Sequence, residues 1–229
     1  IILPELKYPE TEILLYGIWQ VGATGILCET KDFDKIQKKM KTTTILDSNI
    51  DLFSNIKNFS KSFNPNYKPL LDDEALITFE KSDGIKLSHY NLLVNAYAIQ
   101  KALDLKSRTR YYCNLKPGST IWTIFKVILP IFSGCIFDSE NPELTIGKHG
   151  CDLTLRSDLI NIEDYSKYDI AICPENTAAV SIGNKPLHLT DFITENNKIS
   201  LMGHSVTMGY LDDSLNELRF NNNRLSVPI

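Results

Sequence analysis

Short apolar, β-branched runs alternate in this chain with stretches whose apolar residues recur at helical spacing, and that alternation narrows the possible folds more than any other feature. Residues 25–28, 43–46, 75–79, 111–115, 134–137 and 168–173 are too short for core helices and read as strands. Between them, 12–23, 35–41, 89–103 and 121–129 read as helices, with Ser88 placed to cap the third and Pro130 to stop the fourth. A strand–helix–strand rhythm of this kind builds an α/β fold of mostly parallel sheets covered by helices. From Asn184 onward the pattern becomes short strands between Asn and Gly turns, which predicts a small β-rich C-terminal piece. The expected division is therefore 1–183 and 184–229. Residues 55–68, rich in Asn, Ser, Lys and Pro, read as a loop. Ile1-Ile2-Leu3 reads as a strand already under way, so the chain is expected to begin inside a domain.

Composition narrows the function. The 229 residues carry a net charge of −4 and no long basic run, which argues against a nucleic-acid partner. Lys35, Lys38, Lys39 and Lys41 read as a solvated helix face. The longest apolar run, Ile121 to Phe137, is broken by Lys126 and Pro130 and is too short to span a bilayer. Five cysteines, an odd number with no C-x-x-C spacing, fit free thiols in a reducing, cytoplasmic setting. His149 and Cys151 are too few ligands for a metal site. Trp19 and Trp122 lie on apolar faces and read as core, and His89 and His204 as helix-start and turn residues.

Several segments, in order, carry a resemblance. Ser200-Leu201-Met202-Gly203-His204-Ser205-Val206-Thr207-Met208-Gly209-Tyr210-Leu211-Asp212-Asp213 is similar to the "G-P-S-V-M-x-G-Y-x-x-D" segment of the adenylate-forming ligases. Gly17 to Ala23, Asp72 to Phe79, Gly84 to Leu93 and Val127 to Gly134 resemble the segments that precede it in that family's large N-terminal domain. The resemblance implies an acyl- or aryl-acid ligase domain, in which ATP and magnesium activate a small carboxylic acid as its adenylate and a thiol such as CoA takes the acyl group. It implies Glu175 as catalytic residue and magnesium ligand, Lys86 as a catalytic residue near the phosphates, and Ser82, Gly84, Asn176 and Thr177 around the nucleotide. The acid would lie against 117–122 and 176–179. Gly203, Gly209 and Tyr210 would serve turns and packing.

The chain also departs from the family's pattern. Between Phe79 and Ile85 stand only Glu80-Lys81-Ser82-Asp83-Gly84, half the length of the family's phosphate loop and bearing two carboxylates. The ribose-binding Asp is missing from 224–228, and the mobile C-terminal domain with its catalytic Lys does not follow. These departures suit a second reading equally well: a non-catalytic descendant of the fold that binds a ligand or a protein partner. A third reading is a structural fragment that binds nothing.

Overall fold

The computed structural model describes residues 1–40, 44–80, 83–221 and 224–229. Its first sheet begins with the parallel pair β1 (Gly25–Leu27) and β2 (Glu74–Thr78), Gly25 facing Leu76. β3 (Ile85–Ser88) returns antiparallel along β2, so Phe79 and Glu80 after β2 and Asp83 and Gly84 before β3 lie at the same sheet end. Helix α1 (Glu10–Gln20) packs on this sheet through Leu15, Ile18 and Trp19, and the Trp19 indole donates to the Ala75 carbonyl at 2.8 Å. α2 (Phe33–Met40) and the short α3 (Leu52–Ile56, capped by Asp51) follow β1. Ile45 makes only a single parallel bridge to Ile2 where a strand over 43–46 was expected, and Thr43 lies outside the described residues.

α4 (His89–Leu103) starts directly after β3. The Ser88 hydroxyl accepts from the Asn91 N–H and the Asn91 side chain accepts from the Ser88 N–H, both at 3.1 Å, so two of the unpaired donors at the helix start are satisfied. Leu92, Ala96 and Ile99 bury the apolar face as their spacing requires.

The second sheet has seven strands in the order β10-β9-β8-β7-β6-β4-β5 among the described residues. β4 (Arg110–Cys113), β5 (Ile136–Phe137), β6 (Leu144–Gly147), β7 (Leu153–Arg156) and β8 (Asp169–Ile172) run parallel. β9 (Ala179–Ile182) and β10 (Lys185–Pro186) close one edge antiparallel. Strands β6, β7 and β9 escaped the sequence reading because each is only four residues long and a Thr or Ser interrupts its apolar residues.

The expected helix stop at Pro130 is overturned, because the helical run continues to Ser133. It is α-helical at α5 (Thr120–Trp122), π-wound over Thr123–Ile128 and α-helical again at α6 (Leu129–Ser133). Pro130 is tolerated because it falls in the first turn of α6, where no intrahelical N–H bond is needed. The hydroxyls of Tyr111 and Tyr16 donate to the Phe125 and Val127 carbonyls of the π segment. Gly134, at φ +67°, ends the run.

The third sheet is small and antiparallel: β11 (Thr190–Glu195), β12 (Lys198–Gly203), β14 (Phe220–Asn221) and β15 (Arg224–Pro228). Between β12 and β14, strand β13 (Gly209–Tyr210) leaves to pair with β3 in the first sheet, and α7 (Asp213–Arg219) leads back. The architecture is thus mixed α/β, with a mostly parallel large sheet and a small antiparallel sheet at the C-terminus.

A candidate ligand cleft at the strand ends

Parallel strands place their following loops side by side at their carboxyl ends, and open α/β sheets bind ligands there. Here those loops bring together Asn114, Leu115 and Lys116 after β4, Lys148 and His149 after β6, Ser157 and Asp158 after β7, and Pro174 after β8. They line two adjoining cavities of about 470 and 620 Å³. A third, of about 650 Å³, extends toward the first sheet between Leu27, Lys31, Phe79 and Pro117–Ser119. Lys116, Lys148 and Arg156 bring three cations to the strand-end cavities, beside the His149 imidazole and facing Asp158 and Glu80. The third carries Glu5, Glu29 and Asp32 against Lys31.

Glu80 is common to all three cavities. Its carboxylate accepts from the Thr120 backbone N–H, at the start of the helical run, and from the Thr78 hydroxyl at 3.3 Å. The side chain opens onto the cleft, yet protein walls surround its carboxyl on the other sides. That desolvation raises its pKa, against the pull of the hydrogen bonds from Thr120 and Thr78, and the nearby Glu175 carboxylate adds to the rise. Arg156 is held at the rim, 3.4 Å from Asp169 and 5.1 Å over the Tyr165 ring.

The residues singled out from the sequence fall into two groups. Ser82 and Lys81 lie outside the described residues. Gly84 is buried at φ +70°, and a Cβ there would sit 2.5 Å from the Leu211 side chain, so this glycine permits close packing of the 209–211 strand. Lys86 is half-buried in β3. Glu175, Asn176 and Thr177 form a wholly buried turn after β8, with Cys173 Sγ 3.2 Å from Glu175 Oε2. Thr177 is held at φ +67°, ψ −62°, and the Ala178 N–H reaches the Asn176 carbonyl at 2.8 Å, a strained γ-turn for a β-branched residue. Asn176 Oδ1 is buried with no hydrogen-bond partner among the described protein atoms.

What joins these groups was not read from the sequence. Thr207 donates its hydroxyl to the Lys86 carbonyl and its N–H to the Glu175 carbonyl. Asn95 on α4 donates to the carbonyls of Asn176 and Ala179 and accepts from the Ala179 N–H. One turn earlier, Asn91 donates to the carbonyls of His204 and Val206. Two asparagines four residues apart share one helix face, and that spacing was the signal available. Arg219 lies 3.5 Å from Asp83 and 4.7 Å over the Tyr210 ring, fastening α7 to the connection between β2 and β3.

Among the described residues, this set does not fit a magnesium-bound triphosphate. The Glu175 carboxyl is enclosed, and Glu80 brings negative charge to the cleft floor where the family's resemblance puts phosphate. Among the described residues, no group of three His, Cys, Asp or Glu side chains is arranged to hold a metal ion.

No protein-family model matches the sequence, and no curated protein matches it. Solved structures do. O-succinylbenzoate CoA synthetase (MenE) from Bacillus subtilis, bound with the product analogue OSB-NCoA, aligns at TM-score 0.74 with 12% identity, over 99% of this chain and 64% of that one. McyG A-PCP complexed with phenylalanyl-adenylate aligns at 0.76 with 13% identity, over 99% and 55%. The N-terminal subdomain of Klebsiella oxytoca NpsA, in complex with 3-hydroxyanthranilyl-AMSN, aligns at 0.72 with 16% identity, over 100% and 81%. The chain thus spans under two thirds of the first two. At these identities the likeness is one of fold: this chain folds as the large N-terminal domain of the adenylate-forming ligases does.

Proposed function

We propose that this chain is a binding domain for a small carboxylic acid, built on the adenylate-forming ligase fold, and that it does not by itself form an acyl-adenylate. The observation carrying this reading is the charge arrangement of the cleft. Lys116, Lys148 and Arg156, with the His149 imidazole, surround the strand-end cavities, against the carboxylates of Glu80, which reaches all three cavities, and Asp158 at the edge of one. A single carboxylate seated near Lys116, Lys148 and Arg156 gains Coulombic attraction, and the apolar walls Leu115, Ile121, Leu155 and Ile172 take its acyl or aryl body. A triphosphate reaching across these cavities meets the Glu80 carboxylate.

The likeness to structures that hold acyl-adenylates or their analogues supports the acid as the ligand class. The ligase reading, with Glu175 on magnesium and Lys86, Gly84 and Ser82 beside the phosphates, draws its support from that fold and from a neighbour in complex with ATP and magnesium ion. Calorimetric titration separates the two. Benzoate and hexanoate binding, weakened about tenfold by Lys148→Ala, with no response to ATP and magnesium, is the expected result. Magnesium-dependent ATP binding together with acid-dependent pyrophosphate release overturns the proposal in favour of the ligase.

A further inference from the structure

The chain between α3 and β2 exposes apolar side chains that a folded domain ordinarily hides. Phe53, Ile56, Phe59, Phe63, Tyr67, Leu70 and Leu71 are each between 46% and 74% exposed, within nineteen consecutive residues. Residues 57–73 contain no helix or strand. The far end of this arm is fixed: the Tyr67 ring covers Gly22, the Tyr67 hydroxyl and the Leu70 N–H donate to the Asp73 carboxylate, and the Tyr90 N–H donates to the Leu71 carbonyl.

Charge distinguishes the arm from the rest of the molecule. The whole chain carries −4, but from Lys57 to Leu71 there are three lysines, Lys57, Lys61 and Lys68, and no acidic residue. All three lysines are exposed. Lys57, Phe59, Lys61 and Phe63 alternate with Asn58, Ser60, Ser62 and Asn64, so cations and aromatic rings interleave at two-residue spacing. An exposed apolar cluster of this size marks a contact surface.

We propose that the 53–71 arm docks on the surface of an anionic lipid bilayer. A protein groove demands apolar side chains in a fixed register, usually on a helix or strand, and past the end of α3 the arm, from 57 to 71, has neither. A bilayer interface accepts aromatic and aliphatic side chains at any lateral spacing, and cations beside them draw in acidic headgroups. The contact is peripheral, since no helix among the described residues is long and apolar enough to cross a membrane. It stands independently of the ligand assigned to the cleft.

Co-sedimentation of the full chain with lipid vesicles tests this, using phosphatidylcholine alone and phosphatidylcholine mixed with phosphatidylglycerol. The expected result is binding to the mixed vesicles, little to the neutral ones, and release by salt. Reversing all three lysines (Lys57→Glu, Lys61→Glu, Lys68→Glu) weakens binding by about a hundredfold. Phe59→Ser with Phe63→Ser weakens it by at least about tenfold. These side chains are exposed, so melting temperature stays within about a degree or two of wild type in both variants. Absence of binding to mixed vesicles overturns the proposal. So does binding that survives both sets of substitutions, which places the contact elsewhere. Self-association of the chain through Phe59 and Phe63, without vesicle binding, also overturns it and makes the arm a protein contact.

Discussion

The Thr207 hydroxyl donates to the Lys86 carbonyl at 2.5 Å, and through it the segment following β12 is tied to the first sheet. The same residue's N–H donates to the Glu175 carbonyl at 2.9 Å, so one buried threonine spans the gap between β3 and the turn after β8. Two residues on, the Gly209 N–H donates back to the Thr207 hydroxyl at 3.2 Å.

Thr207→Val keeps the shape of the side chain but leaves the Gly209 N–H and the Lys86 carbonyl without this partner. We expect a loss of about 1–3 kcal/mol in urea unfolding, a fall of roughly 2–4 °C in melting temperature per kcal/mol, and faster amide exchange over 205–210. Unchanged stability would mean that β13 is held by its pairing with β3 alone.

Asn95 is wholly buried and satisfies three backbone groups on the β8–β9 side. Asn95→Leu is close in volume but offers none of these bonds. Its expected cost is about 3 kcal/mol, larger than that of Asn91→Leu, because Asn91 is slightly exposed and water can reach the groups it leaves. Equilibrium denaturation of the two variants checks the order, and a reversed order refutes it.

For Glu80 the pH dependence has a definite sign. Its pKa is raised in the folded protein, chiefly by desolvation, so ionising it opposes folding. The penalty is absent below the ordinary glutamate value of 4.5 and complete above the raised folded value. Glu80→Gln, which keeps a carbonyl acceptor for the Thr120 N–H, is therefore expected to melt above wild type at pH 8, with the gap closing toward pH 4. A gap that is constant with pH would show that the carboxyl group's charge is not its source.

The five thiols provide a probe of the cleft. Burial pushes the Cys113 thiol up to about 12 and the Cys28 thiol up to about 11, and Cys173 is buried. Cys151 is half-exposed and lines the cleft beside His149. At pH 8, iodoacetamide is expected to label Cys151 well before Cys113 or Cys173, and saturating benzoate is expected to slow it several-fold by occupying the same cavity. Peptide mass mapping reads both effects; labelling of Cys151 that ignores benzoate counts against the cleft as the acid site.

Much of the architecture was legible because it rests on local chemistry. Ser88 marks a capped helix start, and the spacing of Leu92, Ala96 and Ile99 marks which face is buried. Gly203 and Gly209 were read as turn and packing residues, and both adopt positive φ. The helical run past Pro130 was not legible, since the sequence does not tell whether a proline stops one helix or starts the next turn. Strands β6 and β7 were missed for a similar reason: at four residues each, their neighbours in the sheet and not their composition make them strands.

The sequence by itself determined the α/β class, the buried helix faces and the likeness to the adenylate-forming ligases, because periodicity, caps and turn residues act over a few positions of chain. Only the tertiary structure decided which side chains share the cleft. Glu80 meets Thr120 across forty residues, and Lys86 meets Thr207 across more than a hundred. Sheet topology brings such pairs together, and the free energy that fixes it comes from burying the whole core, which no local run of sequence records.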